Sequence, residues 1–266
     1  MIKIIFLGDI VGKIGRKAVI KYLPQLKKQY APDLVIANVE NLAHGIGFTQ
    51  KTLDEILLAG VDFCTSGNHA WKKAGTHDIL DQKNPIVIRP ANYSRQKSGV
   101  GFAKIKIGQI KLIVVNLLGK VFINEEVDNP FTTLAKIIKK HKKSLILVDF
   151  HAEATSEKNA FGLYFDGKVA AILGTHTHVP TCDQRILNGG TGYITDAGMI
   201  GYYDSVIGAD KNQIFNLFLK KGKSSKKHDV PDTGLVQFNA VYLEIDTKHK
   251  STLNIKRLDK IIKINK

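Results

Sequence analysis

Short apolar, β-branched runs alternate with longer stretches of helical period along this chain, and few architectures accommodate that order. The runs at 4–7, 34–38, 61–65, 86–88, 110–116, 145–149, 170–173 and 193–194 predict strands. Between them, 16–30 carries Val19, Tyr22, Leu23, Leu26 and Tyr30 at helical spacing, and 131–141 carries Leu134, Ile137 and Ile138. Asn129-Pro130 gives the second helix a cap and a first turn. The early β-α-β order favours parallel pairing. Segments 100–107 and 110–115, joined by Gly108-Gln109, predict an antiparallel hairpin, and 240–245 with 252–258 a late strand pair. The expected class is α/β with mixed strand pairing.

A chain of 266 residues with 44% hydrophobic content is long enough for a large core, and no repeat or linker divides it, so one domain over 1–266 is expected. The apolar start, residues 1–7, is too short to span a membrane and runs directly into Gly8-Asp9 rather than a cleavage site. Two cysteines, Cys64 and Cys182, lack C-x-x-C spacing and fit a reducing compartment. The expectation is a cytoplasmic protein without a membrane segment, with a homo-oligomer left open. The net charge of +15 admits a polyanionic partner, RNA included. The lysines are dispersed, however, and concentrate only at 220–227 (KKGKSSKK), with no aromatic residue between Phe218 and Phe238. A solvated surface is favoured over a dedicated nucleic-acid-binding module.

Polar residues collect where the predicted strands end, which is where α/β sheets carry their sites. Five ends offer Gly8-Asp9, Glu40-Asn41, Asn68-His69, His151 and His176-x-His178. Each alone has a plain structural explanation: a cap for Asp9, turns for the Asn residues, a bonded core imidazole for His151. His176-x-His178 is more telling, because strand periodicity would put both imidazoles on one side. Five such ends in succession are not turn chemistry. Asp9, Glu40, Asn41, Asn68, His151, His176 and His178 are therefore candidate ligands, an oxygen and imidazole set suited to Mn, Fe or Zn rather than Mg or Ca. Two divalent ions with a hydroxide between them, set against Asp9 and Glu40, would leave one positive charge for a phosphodiester monoanion to neutralise. The glycines Gly8, Gly12 and Gly15 match neither nucleotide-cradle spacing and are expected to form a tight turn that frees Asp9.

These residues resemble a known family. Gly8-Asp9, Gly67-Asn68-His69 and the block at 174–178 are similar, in kind and order, to the signatures of the calcineurin-like metallophosphoesterases. The blocks at 8–12 (GDIVG), 40–45 (ENLAHG), 67–71 (GNHAW), 89–92 (RPAN), 149–157 (DFHAEATSE), 174–179 (GTHTHV) and 193–199 (YITDAGM) resemble the YmdB-like phosphodiesterase branch more closely. Val11 stands where the wider superfamily has His, and Glu40 where it has Asp; the branch shares both departures. The resemblance implies a four-layer α/β/β/α sandwich of mixed sheets with helices outside. It also implies two iron or manganese ions per chain, one held by Asp9, Asn41 and His178, the other by Asn68, His151 and His176, with Glu40 between them. The implied substrate is a 2′,3′-cyclic nucleotide or another small phosphodiester.

The mechanism expected is in-line attack by a bridging hydroxide, with His69 as general acid toward a poor alkoxide leaving group. Asp149 lies on the strand face of His151 and is placed to orient a ligand imidazole. His44, Arg89 and Asn92 are candidate substrate contacts, beside equally ready readings as a surface residue, a loop ion pair and a turn. Two rival functions remain: a phosphomonoesterase or nuclease on the same metal core, and a non-enzymatic RNA-binding regulator.

Overall fold

β1 (Ile2–Ile10) sends Ile5 and Leu7 to one face and Ile4 and Phe6 to the other, all fully buried, which explains its nearly continuous apolar sequence. The computed structural model describes residues 1–219 and 231–265, so the lysine cluster at 220–227 lies outside the described residues. After β1 come α1 (Gly12–Tyr30), β2 (Leu34–Asn38), α2 (Gln50–Leu58), β3 (Phe63–Thr65), α3 (Thr76–Leu80), β4 (Phe102–Ile107), β5 (Ile110–Leu118) and α4 (Pro130–Lys140). Then follow β6 (Leu145–His151), α5 (Thr155–Tyr164), β7 (Ala171–Thr175), β8 (Arg185–Ile186), β9 (Gly192–Ile194) and β10 (Met199–Tyr202). The last elements are α6 (Lys211–Phe218), β11 (Gly234–Phe238), β12 (Ala240–Asp246), β13 (Ser251–Arg257) and β14 (Lys260–Ile264).

Two mixed sheets result. In the first, β1 pairs in parallel with β2 and β10 and antiparallel with β12, while β3, β13, β11 and β14 extend it. The second has the order β4-β5-β6-β7-β9-β8, parallel from β5 to β9 with antiparallel edge strands. Ile4 and Phe6 of the first sheet meet Leu112, Leu147 and Leu173 of the second in a core between the sheets. Outside the first sheet, Ala18, Leu23 and Leu26 of α1 and Leu53 and Ile56 of α2 pack on Ile5, Leu7 and Val35. Outside the second, Leu134 and Ile137 of α4 and Phe161 of α5 pack on Val115, Val148 and Phe150. These are the four layers the resemblance implied.

Several expectations need adjustment. Residues 86–88 form only an isolated bridge, Cys64 to Val87, rather than a strand. β1 continues to Ile10, so Asp9 lies inside the strand, paired with Asn38 on one side and Met199 on the other. The Gly8 to Gly15 segment is not one tight turn. Gly8 stays in β1 and Gly15 in α1, and a Cβ on either would collide with a carbonyl, of Gly198 or of Ile200. Only Gly12 needs a positive φ, 63°, where α1 begins.

Candidate metal centre

The parallel strands of both sheets deliver their ends to one place. The first sheet brings Asp9 within β1, Glu40 and Asn41 after β2, and Asn68 after β3; the second brings His151 as the last residue of β6 and His176 just past β7. The Gly12 N–H donates to the Asn41 carbonyl at 2.9 Å, pinning the segment after β2 to the start of α1. Asp9, Glu40, Asn41 and His151 are buried.

One cluster consists of Glu40, His151 and His176, whose ligand atoms all lie within 4.8 Å of one another. His151 Nε2 stands 3.1 Å from Glu40 Oε2 and 3.0 Å from His176 Nδ1. The tautomer of His151 follows from its other side. Thr175 Oγ1 donates to Asp149 Oδ1 at 2.7 Å, so it accepts from His151 Nδ1 at 2.8 Å, and Nε2, whose proton Glu40 otherwise holds, is the nitrogen that would turn its lone pair to a cation in the cluster. Asp149 thus acts on His151 through a hydroxyl rather than by a direct bond; Thr65 and Asn38 donate to its other oxygen at 2.5 and 3.0 Å. Burial pushes the Asp149 carboxyl up to about 6.

A second grouping joins Asp9, Asn41 and His178. The His178 Nδ1 donates to the Ile207 carbonyl at 2.7 Å, which turns Nε2 inward, 2.9 Å from Asn41 Nδ2 and 3.9 Å from Asp9 Oδ1. Asp9 Oδ2 accepts from the His176 N–H at 3.2 Å. Asp9 Oδ1 and Asn68 Oδ1 are buried acceptors without a donor among the described residues. Unsatisfied buried oxygens of this kind, beside inward imidazole lone pairs, are the environment a cation satisfies. The Asn41 amide turned by half a revolution would present its oxygen to His178 Nε2 and Glu40 Oε1, an arrangement favourable only with a cation between the acceptors. Gly67 completes the cradle, since a Cβ there would overlap Glu40 Oε2 and His151 Nε2.

The electrostatics are strongly coupled. Burial pushes the Asp9 carboxyl up from its usual value. Burial acts the same way on Glu40, but the His151 charge and bonds from His151 and His69 outweigh it and hold the carboxyl well below the usual range. His151 moves oppositely: burial disfavours its charged form, yet Glu40 pushes it up to about 9. Burial, with His151 adding repulsion, takes His176 down to about 3.

The two imidazoles of His176-x-His178 do not share a strand face, contrary to the period-of-two argument. β7 ends at Thr175, and His176 and His178 both have positive φ, 99° and 65°. Such conformations cost on the order of 1–3 kcal/mol each and persist only where the surroundings impose them. Here the surroundings include a buried ion pair the sequence reading missed. Lys158 of α5 donates to Asp196 at 2.7 Å and to the Thr175 carbonyl at 2.8 Å. Asp196 accepts in addition from the Thr177 N–H and hydroxyl. Glu153, also missed, accepts from His176 Nε2 at 3.0 Å and so leaves Nδ1 facing the cluster.

His69 lines the cavity above these groups, its Nδ1 3.0 Å from Asn41 Oδ1 and 3.1 Å from Glu40 Oε1. Arg89 and Asn92, the other expected substrate contacts, lie outside this cavity. The Arg89 Nη1 and Nη2 groups donate to the carbonyls of Pro90, Ser94 and Lys97, its Nε has no acceptor among the described residues, and the Asn92 amide is bonded to Leu118 and Asp128. His44 occupies an exposed turn at φ 58°, beside the cavity residues Gly45 and Ile46 but not lining the cavity itself.

The family model described as YmdB-like protein matches residues 5–258. The chain belongs to the YmdB-like family. It is 41% identical over 258 residues to the 2′,3′-cyclic-nucleotide 2′-phosphodiesterase of Bacillus subtilis, covering 96% of each chain. Among solved structures, a phosphatase from Mycoplasma pneumoniae superposes with a TM-score of 0.91 at 38% identity, over 99% of this chain and 94% of that one. A hypothetical protein from Thermus thermophilus gives 0.89 at 36%, over 97% and 99%. The NAD nucleotidase of Haemophilus influenzae, at 13% identity and a TM-score of 0.59 over 98% of this chain and 56% of that one, shares the fold. No helix among the described residues is long and apolar enough to cross a membrane.

Proposed function

We propose that this protein is a metal-dependent phosphodiesterase that hydrolyses 2′,3′-cyclic nucleotides, releasing the 2′-oxygen and leaving a nucleoside 3′-phosphate. The observation that carries the reading is the cluster of Glu40, His151 and His176 ligand atoms within 4.8 Å of one another, next to the Asp9, Asn41 and His178 grouping, with two buried oxygens, Asp9 Oδ1 and Asn68 Oδ1, that lack donors among the described residues. The activity named for the Bacillus subtilis relative supports the substrate class. Asp9, Asn41 and His178 would hold one ion and Asn68, His151 and His176 the other, with Glu40 shared. Iron or manganese suits this thiolate-free set, and zinc is compatible. Bound there, the ions supply Lewis acidity toward the phosphoryl oxygens and a water acidified to near-neutral pKa.

The chain's own residues do the rest. Thr175 and Asp149 hold the His151 ring and its tautomer; Ile207 does the same for His178 through its carbonyl. His69 has Nδ1 occupied by Asn41 and Glu40, which leaves Nε2 as the nitrogen to give a proton to the departing 2′-oxygen. The exposed, unpaired thiol of Cys182 supports a reducing, cytoplasmic compartment.

The test is hydrolysis of 2′,3′-cyclic AMP, a phosphomonoester and short RNA by protein loaded with Mn or Fe. Turnover of the cyclic diester, abolished by chelation and by His176→Ala, is expected. Faster turnover of the monoester or RNA would replace the substrate assignment, and RNA binding that survives chelation without any hydrolysis would replace the enzyme.

A further inference from the structure

The metal centre forms the floor of a cavity of about 690 Å³, far larger than a phosphodiester group needs and within the range of small-molecule sites. One wall is built from a single stretch of chain. Residues 206–209 fold back on themselves through a Val206 to Ala209 bridge, and Asp210 caps α6 by accepting from the Gln213 N–H at 2.9 Å. This stretch is tied to the floor because the Ile207 carbonyl accepts the His178 Nδ1–H hydrogen bond. It also sits directly on Val11: a Cβ at Gly208 would lie 2.8 Å from Val11 Cγ1. Ile214 and Phe218, one helical turn apart on the same face of α6, complete the wall.

The wall offers no hydrogen-bonding side chain: its lining residues are Val206, Ile207, Gly208, Ala209, Ile214 and Phe218. Phe218 is the sole phenyl ring among the described residues lining the cavity, and 77% of it is exposed. An apolar wall with one aromatic ring, beside an anion-binding floor, suits a ligand with a phosphate at one end and a flat π-system at the other.

We propose that Phe218, with Ile214 and Ile207, is a nucleobase-binding wall that stacks the base of a nucleotide whose phosphate lies at the metal centre, without reading the base edge. This deepens the phosphodiesterase reading and rests on it. Stacking of this kind tolerates any base, since every base has a π-face.

The test is calorimetric titration of the metal-loaded protein with adenosine 3′-monophosphate and with ribose 3-phosphate, which lacks the base. The nucleotide should bind about tenfold more tightly, the effect of one base–aromatic stack. Phe218→Ala should remove most of that difference, and Phe218→Trp should keep it. Equal affinity of the wild-type protein for the two ligands, or equal weakening of both by Phe218→Ala, would overturn the proposal. So would concentration-dependent mass in light scattering without any nucleotide preference, which assigns the face to a second copy. Because binding is measured with a product, its outcome is independent of the hydrolysis assay, where failure to cleave 2′,3′-cyclic AMP would count against the parent reading alone.

Discussion

Replacing Lys158 by Met tests whether a buried ion pair holds the two ligand histidines in their left-handed conformations. Lys158 is 1% exposed and bonds both Asp196 and the Thr175 carbonyl. Met matches the aliphatic stem and keeps the packing, so the change removes charge rather than volume. It leaves Asp196 buried with three neutral donors, the Thr177 N–H and hydroxyl and the Gly198 N–H. Breaking a buried pair by removing one partner costs about 3–5 kcal/mol. In a chain of this size that lowers Tm on the order of 10 °C. Because Asp196 grips Thr177, between the two histidines, metal affinity should fall as well, by roughly 10–100-fold, as for other residues that orient ligands. Urea denaturation and competitive chelator titration of Lys158→Met measure both effects. Adding Asp196→Asn should return part of the stability, since the uncompensated charge is gone. A loss under about 1 kcal/mol with unchanged metal affinity would refute the reasoning, because the pair would then be incidental to the loop.

Further expectations follow from the same contacts. His69→Ala should lower turnover by about 10²–10⁴-fold with metal content unchanged; loss of metal, read by elemental analysis, would move His69 into the ligand set. Thr175→Val removes the hydroxyl between His151 Nδ1 and Asp149, and metal affinity should drop by about 10–100-fold; wild-type affinity would show that His151 needs no orienting group. Asp183 accepts from the Thr181 and Thr195 hydroxyls, which, against burial, hold its carboxyl below the usual 3.8. Its contribution is therefore present above pH 4 and lost as pH falls through 3.8 toward the lower folded-state value. Asp183→Asn should cost about 1–3 kcal/mol at pH 7 and flatten the acid limb of the stability profile; an unaltered acid limb in urea titrations would contradict this.

The candidate metal centre was legible because ligand-type residues follow apolar runs at five strand ends. Their convergence from two sheets was legible only through the family resemblance, since spacing alone says nothing about which strand ends face each other. The local geometry of His176-x-His178 was misread for a physical reason: strand periodicity stops with the strand, and the positive φ values begin one residue later. Arg89 and Asn92 show the converse. They are polar residues in a motif, yet their side chains replace missing backbone partners, as Asn92 does by bonding both the N–H and the carbonyl of Leu118. Lys158 and Asp196 lie 38 residues apart, and a lysine beside Glu157 in a helix reads as a solvated face. α6 buries none of its residues, although Ile214, Phe215, Leu217 and Phe218 recur at helical spacing, so its apolar stripe faces the cavity and solvent rather than the core. The edge strand β14, with lysines alternating among isoleucines, gave too weak a pattern to be separated from the β13 segment before it.

Everything rests on Asp9, Glu40, Asn41, Asn68, His151, His176 and His178 holding metal. Elemental analysis of protein purified without added metal, then reloaded with Mn or Fe and freed of excess, tests that directly. Two ions per chain are expected in the wild type, and loss of metal in Gly67→Ala, whose added methyl enters the space between Glu40 and His151 while the chain stays folded by circular dichroism. Fewer than one ion per chain in the reloaded wild type, or full loading of Gly67→Ala, would contradict it.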